Sequence, residues 1–294
     1  MNVSRAKSEV FDRVGEVLFN IKVARDTYRL RFRLPEIAKA ILPGQFVMVR
    51  PTGRTDPLLA RPYALYETID GPDGSPASID VIYLVMGNGT RALSTLGEGD
   101  KVQVWGPLGN PFPAALKPNP VDHLMLVAGG IGQTPFLAVA KEFLGQRKYG
   151  AGRETASVNH VSFVWGIRSK EYLAEIEDFQ RIGLDVRLAS NDGSVGHAGY
   201  VTDVVEQAMK SELPPTAIFG CGPEPMLEKL CELTERYRVP AWISLETKMA
   251  CGYGICFSCV CALKEDSPAG WDYKRVCTEG PVFSSSSIVW HPVS

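Results

Sequence analysis

No cysteine precedes Cys221 in this 294-residue chain, and the seven present are an odd number, five of them between Cys251 and Cys277. With no secretory leader in front, such a set does not read as a disulfide framework. An excess of charge is lacking too: 31 basic residues stand against 33 acidic ones, a net charge of −2. That balance gives no reason to expect nucleic acid or an anionic membrane as partner. Residues 1–14 lack the apolar core of a secretory signal, so a cytoplasmic protein is expected. The longest uncharged stretch, Leu124 to Ala140, is broken by Gly129-Gly130 and by Gln133-Thr134-Pro135. It is too short and too interrupted to span a bilayer, and reads as a buried strand leading into a helix. The remaining composition, 45% hydrophobic and 22% charged, is ordinary for a globular protein. The length allows two domains and a third short module.

The first third reads as β structure. Gln45–Arg50, Ile79–Leu84 and Lys101–Trp105 are rich in β-branched and aromatic residues, with turn signals between them at Pro43-Gly44, Gly71–Gly74 and Gly97–Asp100. Short strands at this spacing suggest a small antiparallel barrel. Lys117-Pro118-Asn119-Pro120 reads as a linker, after which strands and helices alternate. Strands are expected at Leu124–Ala128, Val161–Trp165, Asp185–Ala189 and Thr216–Gly220. The helices that follow them are expected at about Pro135–Arg147, Glu171–Gln180, Val201–Met209 and Pro223–Tyr237, with a fifth strand at Ala241–Leu245. Four βα repeats imply a doubly wound parallel sheet. The expected class is therefore β plus α/β: an antiparallel β-barrel over 8–118, a doubly wound α/β domain over 119–244, and a cysteine-bearing module over 245–294.

Cys251-x4-Cys256-x2-Cys259, with a fourth cysteine at Cys277, is the plant-type [2Fe–2S] spacing. Gly252 and Gly254 suit a backbone that must wrap a cluster closely. A structural zinc site is the plainer alternative, but zinc sites usually combine two C-x2-C-like pairs, and only Cys256 and Cys259 form one here. Cys261 is surplus to the four, and Cys231, in an amphipathic helix, reads as core.

Two glycine clusters fall at the carboxyl ends of expected strands, the edge where open α/β sheets bind ligands. Gly129-Gly130-Ile131-Gly132-Gln133-Thr134 opens a helix, where backbone can approach a pyrophosphate; it lacks the full G-x-G-x-x-G fingerprint, and a structural tight turn is the alternative. Cys221-Gly222-Pro223 closes the fourth strand. In the barrel, Arg61-Pro62-Tyr63-Ala64 offers a planar fork for phosphate and, two residues along the strand, a ring that could stack on an isoalloxazine. A surface arginine beside a turn is the alternative. Gly87–Ser94 adds backbone donors and the Thr90 hydroxyl.

Taken together, these motifs resemble the ferredoxin–NADP reductase superfamily and, within it, the electron-transfer subunits of NAD-dependent (type B) dihydroorotate dehydrogenases. The resemblance runs from about Gly15 to Phe283 and also takes in Gly106–Asn110, Ser244-Leu245-Glu246, Met249–Cys261 and Val276–Phe283. It implies FAD on the barrel at Arg61, Pro62, Tyr63, Ala64, Ile82, Tyr83, Leu84, Gly89 and Thr90. It implies NAD(H) on the second domain at Gly129, Gly130, Gly132, Thr134, Gly222 and Pro223. Cys221 is placed near the nicotinamide–flavin junction, and Cys251, Cys256, Cys259 and Cys277 become ligands of a [2Fe–2S] cluster. Ala64 departs from the serine usual at its position, and the Thr68–Ser78 hairpin is long. The implied partner is an FMN-containing subunit that interconverts dihydroorotate and orotate, in a heterotetramer of two such subunits with two catalytic ones. No acid or base is needed for the relay itself, and none of His123, His160, His197 and His291 sits in a motif. Other readings are an NAD(P)H-linked subunit of a bifurcating transhydrogenase, sulfide dehydrogenase or hydrogenase, and a non-enzymatic redox sensor. Transhydrogenase small subunits typically carry aspartate as first ligand, so Cys251 argues against that version. Arg168, Ser169 and Lys170 leave the choice of NADH or NADPH open, with NADH favoured by the resemblance.

Overall fold

The computed structural model describes residues 9–116, 121–150 and 152–292. The linker expected at Lys117–Pro120 lies outside them. Seven antiparallel strands form the first sheet: β1 (Phe11–Ala24), β2 (Thr27–Arg33), β3 (Phe46–Pro51), β4 (Arg61–Ala64), β5 (Glu67–Asp70), β6 (Pro76–Leu84) and β7 (Lys101–Leu108), in the order β4-β3-β7-β1-β2-β6-β5. Helices α1 (Pro35–Ala40) and α2 (Asn88–Ser94) lie in its connections. The two ends of the sheet meet between β4 and β5, where the Leu65 N–H donates to Gln45 (3.0 Å) and the Tyr66 N–H to Asp80 (3.0 Å). Leu30, Phe32, Val47, Val81 and Val104 fill the closed interior. β1 and β2 were not expected from the sequence. In β1 charged residues interrupt the apolar ones and few positions are buried, because one face of this ribbon is solvated.

The second sheet is β11-β10-β9-β8-β12-β13-β16. It comprises β8 (Val121–Gly129), β9 (Val158–Ile167), β10 (Asp185–Ser190), β11 (His197–Ala198), β12 (Ala217–Cys221) and β13 (Ala241–Ser244), all parallel, and the antiparallel edge strand β16 (Val282–Ser284). Helices α3 (Phe136–Phe143) and α4 (Ile176–Arg181) pack their apolar residues on one face, and α5 (Val201–Met209) and α6 (Glu224–Tyr237) on the other. The sheet is doubly wound, as expected. Two helices are shorter than expected. α3 stops at Phe143 ahead of the Gly145 turn, and the stretch Glu171–Gln180 splits into a 3₁₀ turn at Lys170–Tyr172 and α4, with Glu175 in the left-handed region (φ 57°) between them. Among the described residues no helix is long and apolar enough to cross a membrane.

Ion pairs tie the barrel to the α/β sheet. Arg29 on β2 holds Asp80 on β6 (2.6 Å) and reaches across to Glu175 (3.1 Å) and Asp178 (3.0 Å), where the Tyr66 hydroxyl also donates (2.9 Å). Glu67 on β5 accepts from Lys141 of α3 and from the Tyr149 hydroxyl (2.8 Å). The last fifty residues carry a hairpin, β14 (Val260–Lys264) with β15 (Trp271–Arg275), before β16 joins the parallel sheet.

Candidate redox site

The hairpin assembles the cysteines. Val260 pairs with Arg275, so Cys259, just before β14, faces the chain just after β15, and the Val276 N–H donates to the Cys259 carbonyl (2.7 Å). Cys259 and Cys277 thereby come together although 17 residues separate them in sequence, and both are buried, 2% and 1% exposed. Cys251 and Cys256 are brought together by the preceding loop, nearer the surface. The two pairs adjoin, since Cys277 also feels Cys251. Two adjoining thiol pairs suit a two-iron rhomb, in which each iron would take two thiolates.

The loop between Cys251 and Cys256 turns through Gly252 (φ 75°) and Gly254 (φ 78°), and a Cβ on Gly252 would lie 2.8 Å from Met48 Cγ and 2.9 Å from Leu108 Cδ1. A left-handed backbone pressed on barrel side chains accepts only glycine there. The Trp105 indole N–H donates to the Cys251 carbonyl (3.0 Å), and its ring stacks on Tyr253 (6.1 Å, 5°). The Tyr253 N–H donates to Cys251 Sγ (3.3 Å). Hydrogen bonds from Ser258, and then from Cys251, draw the Cys256 thiol down to about 6, a thiolate at neutral pH; burial pushes Cys277 up to about 12. A metal ligand must be deprotonated, so Cys256 is prepared for iron and Cys277 would release its proton as metal binds.

The two glycine clusters form one surface. β8 runs between β9, reached from it through α3, and β12, reached from β11 through α5 on the opposite face, which makes its carboxyl end the switch point of the sheet. There Gly132, in the 3₁₀ turn Gly130–Gln133, touches Cys221: a Cβ on it would lie 2.3 Å from the Cys221 carbonyl oxygen. A Cβ on Gly129 would meet Pro223 and Met226 at 2.7 and 2.5 Å, and one on Gly222 would meet the Gly129 nitrogen at 2.9 Å. Gly130 is open on that side, and Thr134 is buried. Burial, and next the Glu246 carboxylate, push the Cys221 thiol up to about 12. It is a neutral S–H at any ordinary pH.

On the barrel, the Arg61 guanidinium lies over Gly89, where a Cβ would sit 3.2 Å from Arg61 Nε, and it is held by the Leu59 (2.9 Å) and Ala60 (3.0 Å) carbonyls. Arginine and the unpaired N–H groups of a helix start form a cradle suited to a pyrophosphate. Pro62, Ala64 and Leu84 are half-buried beside it.

Three of the expected flavin residues have little free side-chain surface. The Tyr63 ring is 8% exposed and tilts against Tyr83 (5.7 Å), with its hydroxyl buried and without a hydrogen-bond partner. Ile82 and Tyr83 are 2% and 1% exposed, which leaves their backbone rather than their side chains for contact with a ligand. The Thr90 hydroxyl accepts the Met86 (2.9 Å) and Gly87 (3.1 Å) N–H groups and donates to the Gly87 carbonyl. Sequence reasoning missed Trp105 and Ser258 altogether. A single tryptophan in a strand carries no local signal of a contact 146 residues away.

A model of the iron–sulfur cluster binding domain of dihydroorotate dehydrogenase B matches residues 246–289, an oxidoreductase NAD-binding domain matches 126–232, and an oxidoreductase FAD-binding domain matches 15–112. The electron transfer subunit of dihydroorotate dehydrogenase B (NAD(+)) from Caldanaerobacter subterraneus subsp. tengcongensis is 35% identical over 276 residues, 94% of this chain and 98% of that one. The subunit of the same name from Geobacillus thermodenitrificans is 38% identical over 268 residues, 91% of this chain and 94% of its own. Among solved structures, an NADH-dependent reduced ferredoxin–NADP oxidoreductase chain superposes with a TM-score of 0.77 at 26% identity, covering 95% of this chain and 90% of its own. The FAD-, NAD- and cluster-binding regions thus follow one another in the order of the three structural parts, and this chain belongs to the family of dihydroorotate dehydrogenase B electron transfer subunits.

Proposed function

We propose that this chain carries electrons between NADH and a separate FMN-containing catalytic subunit, in the interconversion of dihydroorotate and orotate in the cytoplasm. When bound, FAD exchanges a hydride with the nicotinamide, and the cluster passes the electrons on singly. The observation that carries the reading is the packing of the thiol pairs. The Cys251–Cys256 loop lies on Met48, Trp105 and Leu108 of the barrel, while Cys259 and Cys277 belong to the core shared with the parallel sheet.

The chain's own residues bind, orient and insulate. Arg61 and the backbone at Gly89 and Thr90 hold the flavin pyrophosphate, and the backbone of Ile82–Leu84 borders it. Gly129, Gly130 and Gly132 with Gly222 and Pro223 let the nicotinamide nucleotide approach the switch point. The Cys221 thiol, protonated by its burial, sits at the nicotinamide–flavin junction as a neutral contact, and Cys251, Cys256, Cys259 and Cys277 hold the cluster. No group in this set is placed as a base for dihydroorotate, so that chemistry belongs to the partner, in a heterotetramer of two and two.

The test is to purify the chain anaerobically with whatever accompanies it and to assay orotate reduction by NADH. An FMN-bearing partner whose presence confers that activity supports the proposal. Rapid NADH turnover with a different partner, such as a bifurcating or hydrogenase complex, contradicts the pyrimidine role and leaves the relay standing.

A further inference from the structure

Thr278 follows the buried Cys277, and its hydroxyl oxygen is buried with no hydrogen-bond partner. Its neighbours are otherwise engaged. The Thr278 N–H donates to the Arg275 carbonyl (3.2 Å), while Arg275 donates to the Gly254 carbonyl (3.1 Å) and to Glu279 (3.0 Å). The side chain presses on the middle of the Cys251–Cys256 loop: a Cβ on Gly254 would lie 2.8 Å from Thr278 Cγ2 and 3.1 Å from its Oγ1. The hydroxyl is therefore wedged between the loop of the outer thiol pair and the Cys277 end of the inner pair. The residue is half-buried, but its hydroxyl oxygen is closed to water.

A buried hydroxyl left unpaired is destabilising. The two segments that flank it carry the thiols of both pairs, and the Gly254 carbonyl beside it already accepts from Arg275. We infer that Thr278 donates a hydrogen bond to sulfur of the cluster and so raises its reduction potential. One-electron reduction adds negative charge that spreads onto the sulfurs, and a donor aimed at them favours the reduced form more than the oxidised one. Thr278 transfers nothing; it is a positioning residue that acts through the cluster. The inference rests on the cluster reading above.

The experiment is an anaerobic redox titration of the full-length chain carrying FAD and iron–sulfur, followed by electron paramagnetic resonance, for wild type, Thr278→Val and Thr278→Ser. Valine keeps the shape and removes the donor. The expected result is about a tenfold fall in the reduced-to-oxidised cluster ratio at a fixed potential, equal to about 59 mV for a one-electron couple. Serine should restore the wild-type value. If Thr278→Val does not retain iron, Thr278→Ala against Thr278→Ser makes the same comparison. An unchanged midpoint in the valine or alanine variant overturns the inference, most plainly if the fold is also stabilised, as expected of an idle buried hydroxyl. Wild-type protein without iron or a reduced [2Fe–2S] signal overturns the cluster reading itself, and this inference with it.

Discussion

Trp105 and Cys251 are joined by one hydrogen bond, from the indole N–H on the last barrel strand to the carbonyl of the first cysteine in the cluster loop, at 3.0 Å. That bond fixes the outer thiol pair against the FAD-bearing half of the chain. Trp105→Phe keeps a ring to stack on Tyr253 and removes only the donor. The loss of about 1 kcal/mol should raise loop opening about fivefold. Iron release to a chelator is the readout, and an unchanged rate would show that the loop is held by packing alone.

Cys221 should not impose a pH dependence. Its thiol is raised to about 12 by burial, so it stays protonated from pH 6 to 9 and gains or loses no proton there. NADH-dependent flavin bleaching in the wild type should show no step attributable to it in that range. Cys221→Ala should slow bleaching by about 10–100-fold through misplacement of the reacting rings, by the same factor at every pH. A pH-dependent ratio between variant and wild type would mean that the thiol ionises.

Asp80 is the pivot of the contact between barrel and α/β sheet. Its side chain is 0% exposed and accepts from Arg29 (2.6 Å) and Arg31 (2.6 Å), while Arg29 also reaches Glu175 and Asp178 of the second unit. Asp80→Asn leaves Arg31 without its counter-charge and Arg29 with Glu175 and Asp178 only, at a cost of about 1.5–3 kcal/mol. Denaturant unfolding measures it. A loss below about 1 kcal/mol would place the stability of this junction elsewhere.

Gln133 is fully buried, and neither atom of its amide has a partner. Gln133→Met keeps the volume and removes the unmet polar atoms, so the unfolding free energy should rise by about 1 kcal/mol, with flavin bleaching by NADH unchanged. Destabilisation, or loss of bleaching, would show that the amide is used.

Much of this molecule could be read from local pattern. The βα repeats were visible because strands such as Leu124–Gly129 are apolar runs ending at glycine, and Val201–Met209 has helical periodicity from end to end. The cluster spacing was visible because three of its four ligands lie within nine residues. What was not legible depends on the third dimension. β1 carries Asp12, Arg13, Glu16 and Lys22 on a solvated ribbon, so alternation is blurred. Tyr63 shares a strand face with Arg61 by periodicity, yet the closing curvature of the barrel turns its ring inward against Tyr83. The Thr90 hydroxyl looked free in sequence and is taken by its own turn. Nothing local announces that Trp105 meets Cys251, or that the Thr278 hydroxyl lacks a partner.

The most direct test of the relay is to mix NADH anaerobically with the full-length chain carrying its cofactors, and to follow flavin absorbance together with electron paramagnetic resonance of freeze-quenched samples. The flavin should bleach first and the reduced [2Fe–2S] signal should then appear, without any partner subunit present. A flavin bleached by NADH beside a cluster that only dithionite reduces would contradict the relay.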